Sequence, residues 1–504
     1  PPGEQAPPVT LAVDPTLVKA LQIMASGEYR YASPGGEVTV PADSPASSDA
    51  KLFLAKLRQF TEQGGEVIAL PYGDADLTAL VRAGHLHTVK DAVNTGELIV
   101  SGELLGRQPQ AGGTVAYPAN GWADPATVDL LGQLGTGTVI LDDRLVTASA
   151  PAADAPAATL FATTSAGEIK VVAADHRLAA AATAYDGSGN GPSVSAARFQ
   201  AELAMITDEG GPRRVRALAL PRDWNPRDNW FSDLLASLRV NYAEPVRLSW
   251  EDPGASTTAR VPVQLGYPAE AQAHELPTDY INAVEELRDE VNVLRPVFCP
   301  PTQLSGADLD RCHREKINPM SYTLLSGMSV AWRANRAGGV SINQEVDGRA
   351  TAYKDGIRVV ASQTVNLTSS SGRVPVTLEN DTPYDITVVL VLSSTDRARL
   401  VSPTEVTRTV KPSQKDQIEI EVNAESAGTF PVDIRIKTLE GRALSPDAAA
   451  RVLVRSTVYG VIATAITIGA VGVLLLAVLL RLVRRVRGGG RTDPPGTGTG
   501  TGTG

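Results

Sequence analysis

Histidine, cysteine and methionine are scarce in this 504-residue chain, and positive charge falls short of negative. Each shortage closes a class of function. The five histidines, His85, His87, His176, His274 and His313, include no His-x3-His pair, so no single helix face presents two imidazoles to a metal. His85 and His87 follow Gly84, where a helical pattern ends. They read as exposed imidazoles favoured by a helix C-terminus, and neither a metal nor another cofactor is expected. The two cysteines, Cys299 and Cys312, lie in CPPTQLSGADLDRC. With His313 alone beside them they do not complete a zinc site. Outside the cell a disulfide closes such a loop and contributes about 3 kcal/mol. No glycine-rich loop opens a helix after a strand; GSGNG at 187–191 follows an alanine-rich helical run, which removes the phosphate-cradling folds. Ser329, in GMSVA, lies within a helical pattern, where a nucleophile elbow cannot form. With 46 basic against 56 acidic residues the net charge is −10, which argues against nucleic acid as a partner.

One long apolar run stands against these shortages. Residues 458–480 (VYGVIATAITIGAVGVLLLAVLL) carry no charge, proline or amide side chain. A helix of that length reaches roughly 34 Å, enough to cross about 30 Å of hydrocarbon. Arg481, Arg484, Arg485, Arg487 and Arg491 follow at once. The positive-inside rule then puts the C-terminus in the cytoplasm and everything before residue 457 outside: a single-pass cell-membrane protein with extracytoplasmic N-terminal domains. Beyond the run, five arginines face Asp493, which leaves about −14 on the outer part. Ala465, Gly469 and Gly472 form a small-residue face that lets another helix approach closely. Pro1 is no initiator and no signal peptide begins the chain, so the native start is expected upstream.

Residues 1–271 repeat one theme: a short apolar run, a polar or aromatic cluster, then a helical pattern. The runs are 9–14 (VTLAVD), 66–71 (EVIALP), 114–118 (TVAYP), 138–142 (TVILD), 169–175 (IKVVAAD) and 215–221 (VRALALP), with 246–248 as another. Runs apolar on both faces suit parallel strands, with amphipathic helices at 50–63 and 195–208 between them. The expected fold is a barrel-like parallel β/α domain, with a doubly wound sheet as the alternative. Residues 272–340 read as a helical subdomain containing the cysteine pair, with helices at 280–294, 309–317 and 322–335. From about 339 short alternating segments such as 386–393 (ITVVLVLS) and 417–422 (QIEIEV) predict a membrane-proximal Ig-like β-sandwich over 341–456. The membrane helix takes 457–481, and 482–504, ending in GTGTGTGTG, is a cytoplasmic tail expected to be disordered. The fold class is thus multidomain, α/β plus all-β.

Several segments carry a resemblance: VTLAVDPTLVKAL (9–21), VIALPYGDADLTALVRAG (67–84), TVAYPANGWADPATVDLL (114–131), ARFQAELAMI (197–206), LALPRDWNP (218–226), SVAWR (329–333), GRVPVTLENDTPYDITVVL (372–390) and the closing helix. Together they resemble the actinobacterial family DUF6049. The resemblance implies a single-pass envelope protein, encoded near the lipid II flippase of the MurJ/MviN type, with no established activity. It implies a setting in peptidoglycan biogenesis and a multi-span membrane partner such as that flippase. Members also carry a signal peptide and a further β domain that this sequence does not include.

Function in a barrel collects where strands end. The residues there are Asp14; Tyr72, Asp74 and Asp76; Tyr117, Asn120, Trp122 and Asp124; Asp142, Asp143 and Arg144; Asp175 and His176; and Arg222, Asp223 and Trp224. Aromatic faces stack on sugar rings while carboxylates and arginine bond hydroxyls, so Tyr72, Asp74, Tyr117, Trp122, Asp143, Arg144, His176 and Trp224 are the expected glycan-binding set. A glycosidase needs two carboxyls about its bond, and Asp142 and Asp175 are the weak candidates. An aspartate at a strand end is equally a helix N-cap. The layout also resembles polysaccharide deacetylases, whose metal is held by an aspartate and a His-x3-His pair that this chain lacks. The expected function is therefore binding or scaffolding in the envelope, with a carbohydrate-active enzyme as the alternative.

Overall fold

The computed structural model describes residues 8–33, 36–107, 113–148, 159–185, 191–208, 216–227, 229–249, 260–367, 371–394, 405–424, 428–447, 449–456 and 459–487. The glycine-rich loop before 191, the start of the chain and the tail from 488 lie outside them. The chain divides into two compact units, Pro1–Asn292 with His313–Ala350, and Val293–Cys312 with Thr351–Gly504.

The first unit is mixed α/β. Its strands are β1 (Thr10–Val13), β2 (Tyr29–Ser33), β3 (Gly36–Val40), β4 (Glu66–Ala69), β5 (Thr114–Ala116), β6 (Thr136–Asp142), β7 (Val146–Ala148), β8 (Thr159–Thr164), β9 (Gly167–Ala174) and β10 (Arg260–Leu265). β1 and β4 pair in parallel, and so do β5, β6 and β9. Ile68, Leu70, Tyr117, Ile140 and Ala174, from β4, β5, β6 and β9 and the residues just past them, share one core with Val115, Val172, Ala217, Ala219 and Leu248. The run expected at 215–221 is held at one point, a parallel bridge from Ala217 to Ala174. The segment near 248 is fixed by the Glu66 carboxylate, which accepts the Leu248 and Ser249 amides.

Local chemistry repeats at the strand exits. Asp14 and Asp124 each cap a helix whose first residue is proline, Pro15 and Pro125. The cap satisfies an orphan amide and the proline supplies a preset φ. The sheet departs from the expected all-parallel plan. β8 runs antiparallel to β9, β10 is parallel to β8, and β7 is antiparallel to β10. β2 and β3 form a separate hairpin.

The second unit holds β11 (Ile357–Ala361), β12 (Thr364–Leu367), β13 (Ser371–Asn380), β14 (Ile386–Ser394), β15 (Glu405–Val410), β16 (Gln414–Asn423), β17 (Gly428–Lys437) and β18 (Ala450–Ser456). They form a sheet in the order β11-β13-β16 and another in the order β12-β18-β17-β14-β15. Most strands alternate buried and exposed residues, as half-covered sheets do. β14 is buried from Ile386 to Leu392. The short helix Arg295–Phe298 packs on it, and the Phe298 ring stands edge-on to Tyr353 and Tyr384. These contacts draw 293–312, with the Cys299–Cys312 disulfide (Cα–Cα 5.8 Å), into this unit. The 272–340 segment is therefore divided between the units instead of standing alone. Two expected boundaries also move. The helix expected over 322–335 ends at Gly327, and Arg336–Asp355 is a helix, so alternation starts at Ile357 and not near 339.

The last element among the described residues is the helix Tyr459–Arg487. Within its span Thr464–Arg485 an 18-residue window has a mean hydropathy of 2.6. Twelve large aliphatic side chains from Ile466 to Val483 are 42–69% exposed. A helix apolar all round needs an apolar surrounding, so this one is a candidate membrane anchor.

Candidate functional site

The ends of β4, β5, β6 and β9 bring most of the expected site residues into the first unit, in two groups of different character. At the β4 end Tyr72 is 6% exposed and its ring lies 4.8 Å from that of Tyr322. Burial raises its hydroxyl pKa. Gly73 takes φ +71, and a Cβ there would meet the Ser326 amide at 2.7 Å. Asp74, itself at φ 44, pairs with Arg222 Nε at 2.9 Å. Arg222 also donates to the Tyr117 carbonyl and lies 4.4 Å over the Tyr117 ring. Tyr117 is 7% exposed and donates to the Leu220 carbonyl, and burial raises its pKa. Asp76 is fully buried; it accepts Nε and Nη2 of Arg333 at 2.8 and 2.7 Å and the Leu276 amide. Burial works against the Arg333 charge, and Asp76 more than offsets it. Asp14 caps its helix through the Thr16 amide, and burial pushes its carboxyl up against the pull of that bond. Tyr72, Asp74 and Tyr117 are thus packed groups, not an open sugar platform.

The ends of β6 and β9 differ. Their register sets Asp142 opposite Ala174, so Asp143 falls beside His176. Asp143 Oδ1 accepts His176 Nδ1 at 2.7 Å and the His176 amide at 3.3 Å. Asp142 is 8% exposed and fully engaged. Oδ1 accepts the Arg144 amide and Nε, and Oδ2 accepts Arg144 Nη2 and, at 3.4 Å, Trp122 Nε1. Burial alone would raise its pKa, but the bonds and charge of Arg144 outweigh burial and hold it below the usual carboxylate range. The Arg144 guanidinium lies 5.7 Å from the ring centre of Trp122. Gly121 fits this packing: at φ +74, an added Cβ would meet the Asp142 amide at 2.6 Å.

Asp175 is 3% exposed and caps the helix His176–Thr183 through the Arg177 and Leu178 amides. Asp142 and Asp175 are both buried caps, so the carboxyl pair that a glycosidase would use is committed to holding backbone. Ligand-type atoms of Asp142, Asp143 and His176 lie within 4.8 Å of one another. The Arg144 guanidinium already neutralises Asp142 there, which opposes a second cation.

The other expected residues fall elsewhere. Trp224 is half-buried against Phe231 beside the helical core around Trp230. Asn120, at φ 53, accepts the Arg222 amide, and Asp223 is exposed. Ser329 caps the turn Val330–Trp332. Ala465, Gly469 and Gly472 are exposed along the apolar helix, with nothing within 4 Å of a Cβ placed on either glycine. Sequence reasoning missed Arg333 and Glu275. Glu275 accepts Arg82 Nε at 2.9 Å and the Tyr267 hydroxyl; Arg82 lies 193 residues from it and Tyr267 eight, and no local signal joins all three. What remains accessible is Trp122, Asp143, Arg144 and His176: a ring, a guanidinium and an aspartate–histidine pair, a set able to bond hydroxyl groups.

No curated protein matches the chain. Three of the solved structures that the chain matches illustrate a weak similarity. The exo-type maltose-forming amylase of Pyrococcus sp. ST04 is 9% identical, with 65% of this chain and 75% of that one covered and a TM-score of 0.40. The 4-alpha-glucanotransferase of Thermococcus litoralis is 11% identical, covering 77% and 76%, at 0.37. A putative polysaccharide deacetylase of Mycobacterium smegmatis is 17% identical, covering 44% and 72%, at 0.32. All three scores lie below 0.5 and carry no argument about the site. The model of the family of unknown function DUF6049 matches residues 3–495, and the chain belongs to that family.

Proposed function

We propose that this chain is a membrane-anchored, extracytoplasmic accessory protein of cell-envelope biogenesis in actinobacteria, acting by binding or scaffolding and not by catalysis. The observation that carries the reading is the commitment of the strand-end carboxylates. Asp142 is held by Arg144, Asp175 by a helix start, Asp74 by Arg222 and Asp76 by Arg333. Carboxylates so engaged hold structure, while Trp122, Arg144 and His176 still offer a face for a glycan. In this reading the first unit is a barrel-like binding domain, and the two sheets of the second are an Ig-like sandwich. The apolar helix spans the cell membrane with its arginines in the cytoplasm. Its face of Ala465, Gly469 and Gly472 packs on a multi-span envelope protein, such as a MurJ-type lipid II flippase.

The test is co-purification of the full chain from its own membranes in mild detergent. An envelope-synthesis membrane protein should accompany the wild type and be lost when Gly469 and Gly472 are both replaced by leucine. Recovery of the chain alone, or release of sugar from purified peptidoglycan by the chain, would overturn the reading.

A further inference from the structure

The last turns of the helix Tyr459–Arg487 differ from the rest of it. At about 1.5 Å per residue the helix reaches about 43 Å, longer than a hydrocarbon core of about 30 Å. Its charges begin at Arg481, directly after the apolar run 458–480. Arg481, Arg484 and Arg485 therefore stand where a spanning helix passes into the headgroup layer.

At about 100° per residue these three arginines fall within an arc of about 100°. Leu479, Leu482 and Val483 are centred on the opposite side and are exposed. The end of the helix thus has an arginine face and an apolar face, whereas the turns before it are apolar all round. All three arginines are exposed, and among the described residues none has a carboxylate partner. The nearest carboxylate in the sequence is Asp493, beyond the helix. Arginines of the first unit are placed otherwise: Arg144 lies 2.8 Å from Asp142, Arg222 2.9 Å from Asp74 and Arg333 2.7 Å from Asp76. Residues three and four apart on a helix are about 5–6 Å apart, and like charges there repel. Such a group is costly alone and favourable around an anion, because guanidinium forks match phosphate oxygens. Keeping positive charge on one side of a membrane needs arginines anywhere around the helix; gathering them on one face adds a place to bind.

We propose that Arg481, Arg484 and Arg485 bind the phosphate of an anionic phospholipid headgroup. Val478 and Leu474, three and seven residues before Arg481, lie on the same face and are 48% and 66% exposed. They give the acyl chains an apolar track that leads up to the arginines, which a soluble phosphate would not use. The inference rests on the membrane-spanning reading of this helix and on no other part of the proposed function.

The test uses the full chain in mild detergent, titrated with dimyristoyl phosphatidylglycerol and with dimyristoyl phosphatidylcholine, the bound lipid counted by native mass spectrometry. Phosphatidylglycerol should bind in preference. Replacing all three arginines with glutamine should weaken its binding roughly fivefold for each charge, about 100-fold together. A second variant keeps composition and charge but breaks the face: Arg481→Leu with Leu482→Arg, and Val483→Arg with Arg484→Val. It should lose most of the preference too. Inorganic phosphate at equal concentration should not displace the lipid. Equal binding of the two lipids by the wild type, or binding unchanged in either variant, would overturn the proposal. Displacement by inorganic phosphate would overturn it as well, in favour of a soluble phosphate. Alkaline carbonate extraction from phosphatidylglycerol vesicles separates this inference from the reading beneath it. A wild-type chain that washes off does not span the membrane, and both fall together; one that stays but shows no lipid preference sinks this inference alone.

Discussion

Two groups of strand-end residues in the first unit have nearly the same composition and opposite fates. At the β4 end an aromatic, two aspartates and an arginine are closed in: Tyr72 lies under Tyr322, and Asp76 is fully buried on Arg333. At the β6 and β9 ends an aromatic, two aspartates and an arginine remain half open, with the Arg144 and His176 side chains 55% and 40% exposed. The difference comes from what the chain lays over each end. The segment 322–333 covers the first, with the Asp76 amide bonded to the Met328 carbonyl and Ala75 bridged to Ser329. Composition at a strand end therefore does not make a site; a cover removes it.

The largest effect should come from the covered end. Asp76→Ala leaves the Arg333 guanidinium half-stranded in the interior and orphans the Leu276 amide. Breaking one side of a buried pair costs about 3–5 kcal/mol, read as a loss of unfolding free energy in urea on the detergent-solubilised chain. A loss under about 1 kcal/mol would erase the distinction between the two ends. Gly121→Ala comes next. It forces a side chain into left-handed backbone and against the Asp142 amide, and strain of that kind costs about 1–3 kcal/mol. It should also displace Asp142 and Arg144, seen as altered Trp122 fluorescence.

The open end was more legible in the sequence than the covered one. Apolar runs identified β1, β4, β5, β6 and β9, and the aspartates after them fell where helices begin. The adjacency of β6 and β9 then joins Asp143 to His176 without further information. The covered end depends on pairs far apart in the chain: Asp74 with Arg222, 148 residues on, and Asp76 with Arg333, 257 residues on. Nothing local marks an arginine as the partner of a distant aspartate. β8 escaped notice because an antiparallel return needs no crossover helix and so breaks no pattern. The helix Arg336–Asp355 escaped because its glycines and β-branched residues weaken helical propensity, and only packing restores it.

The charge state of the open end provides a third measurement. Asp142 has a folded pKa held below its ordinary value by Arg144. Its contribution is therefore complete above the ordinary carboxylate range and is lost as pH falls through the lower folded value. Asp142→Asn should cost about 1 kcal/mol near neutral pH, the size of one lost cap, and the gap to wild type should close in acid. Asp14 runs the other way. Its pKa is raised by burial, so its contribution is present below the ordinary range and disappears as pH rises through the folded value. Asp14→Asn should remove that acid-side gain. Urea midpoints of both variants across the acid range separate the two slopes.

The smallest effect on stability should be the most telling for function. His176 is bonded to Asp143 at the surface, and exposed pairs contribute about 0.2–1 kcal/mol. His176→Ala should therefore leave unfolding within about 1 kcal/mol of wild type. If the open end is where a glycan docks, the same variant should lose retention on purified peptidoglycan, while Tyr72→Phe, which alters only a buried hydroxyl at the covered end, should retain it. Equal retention by His176→Ala and wild type would mean that exposure alone does not make the second group a site either. The comparison would then reduce to two versions of the same structural joint, one tight and one loose.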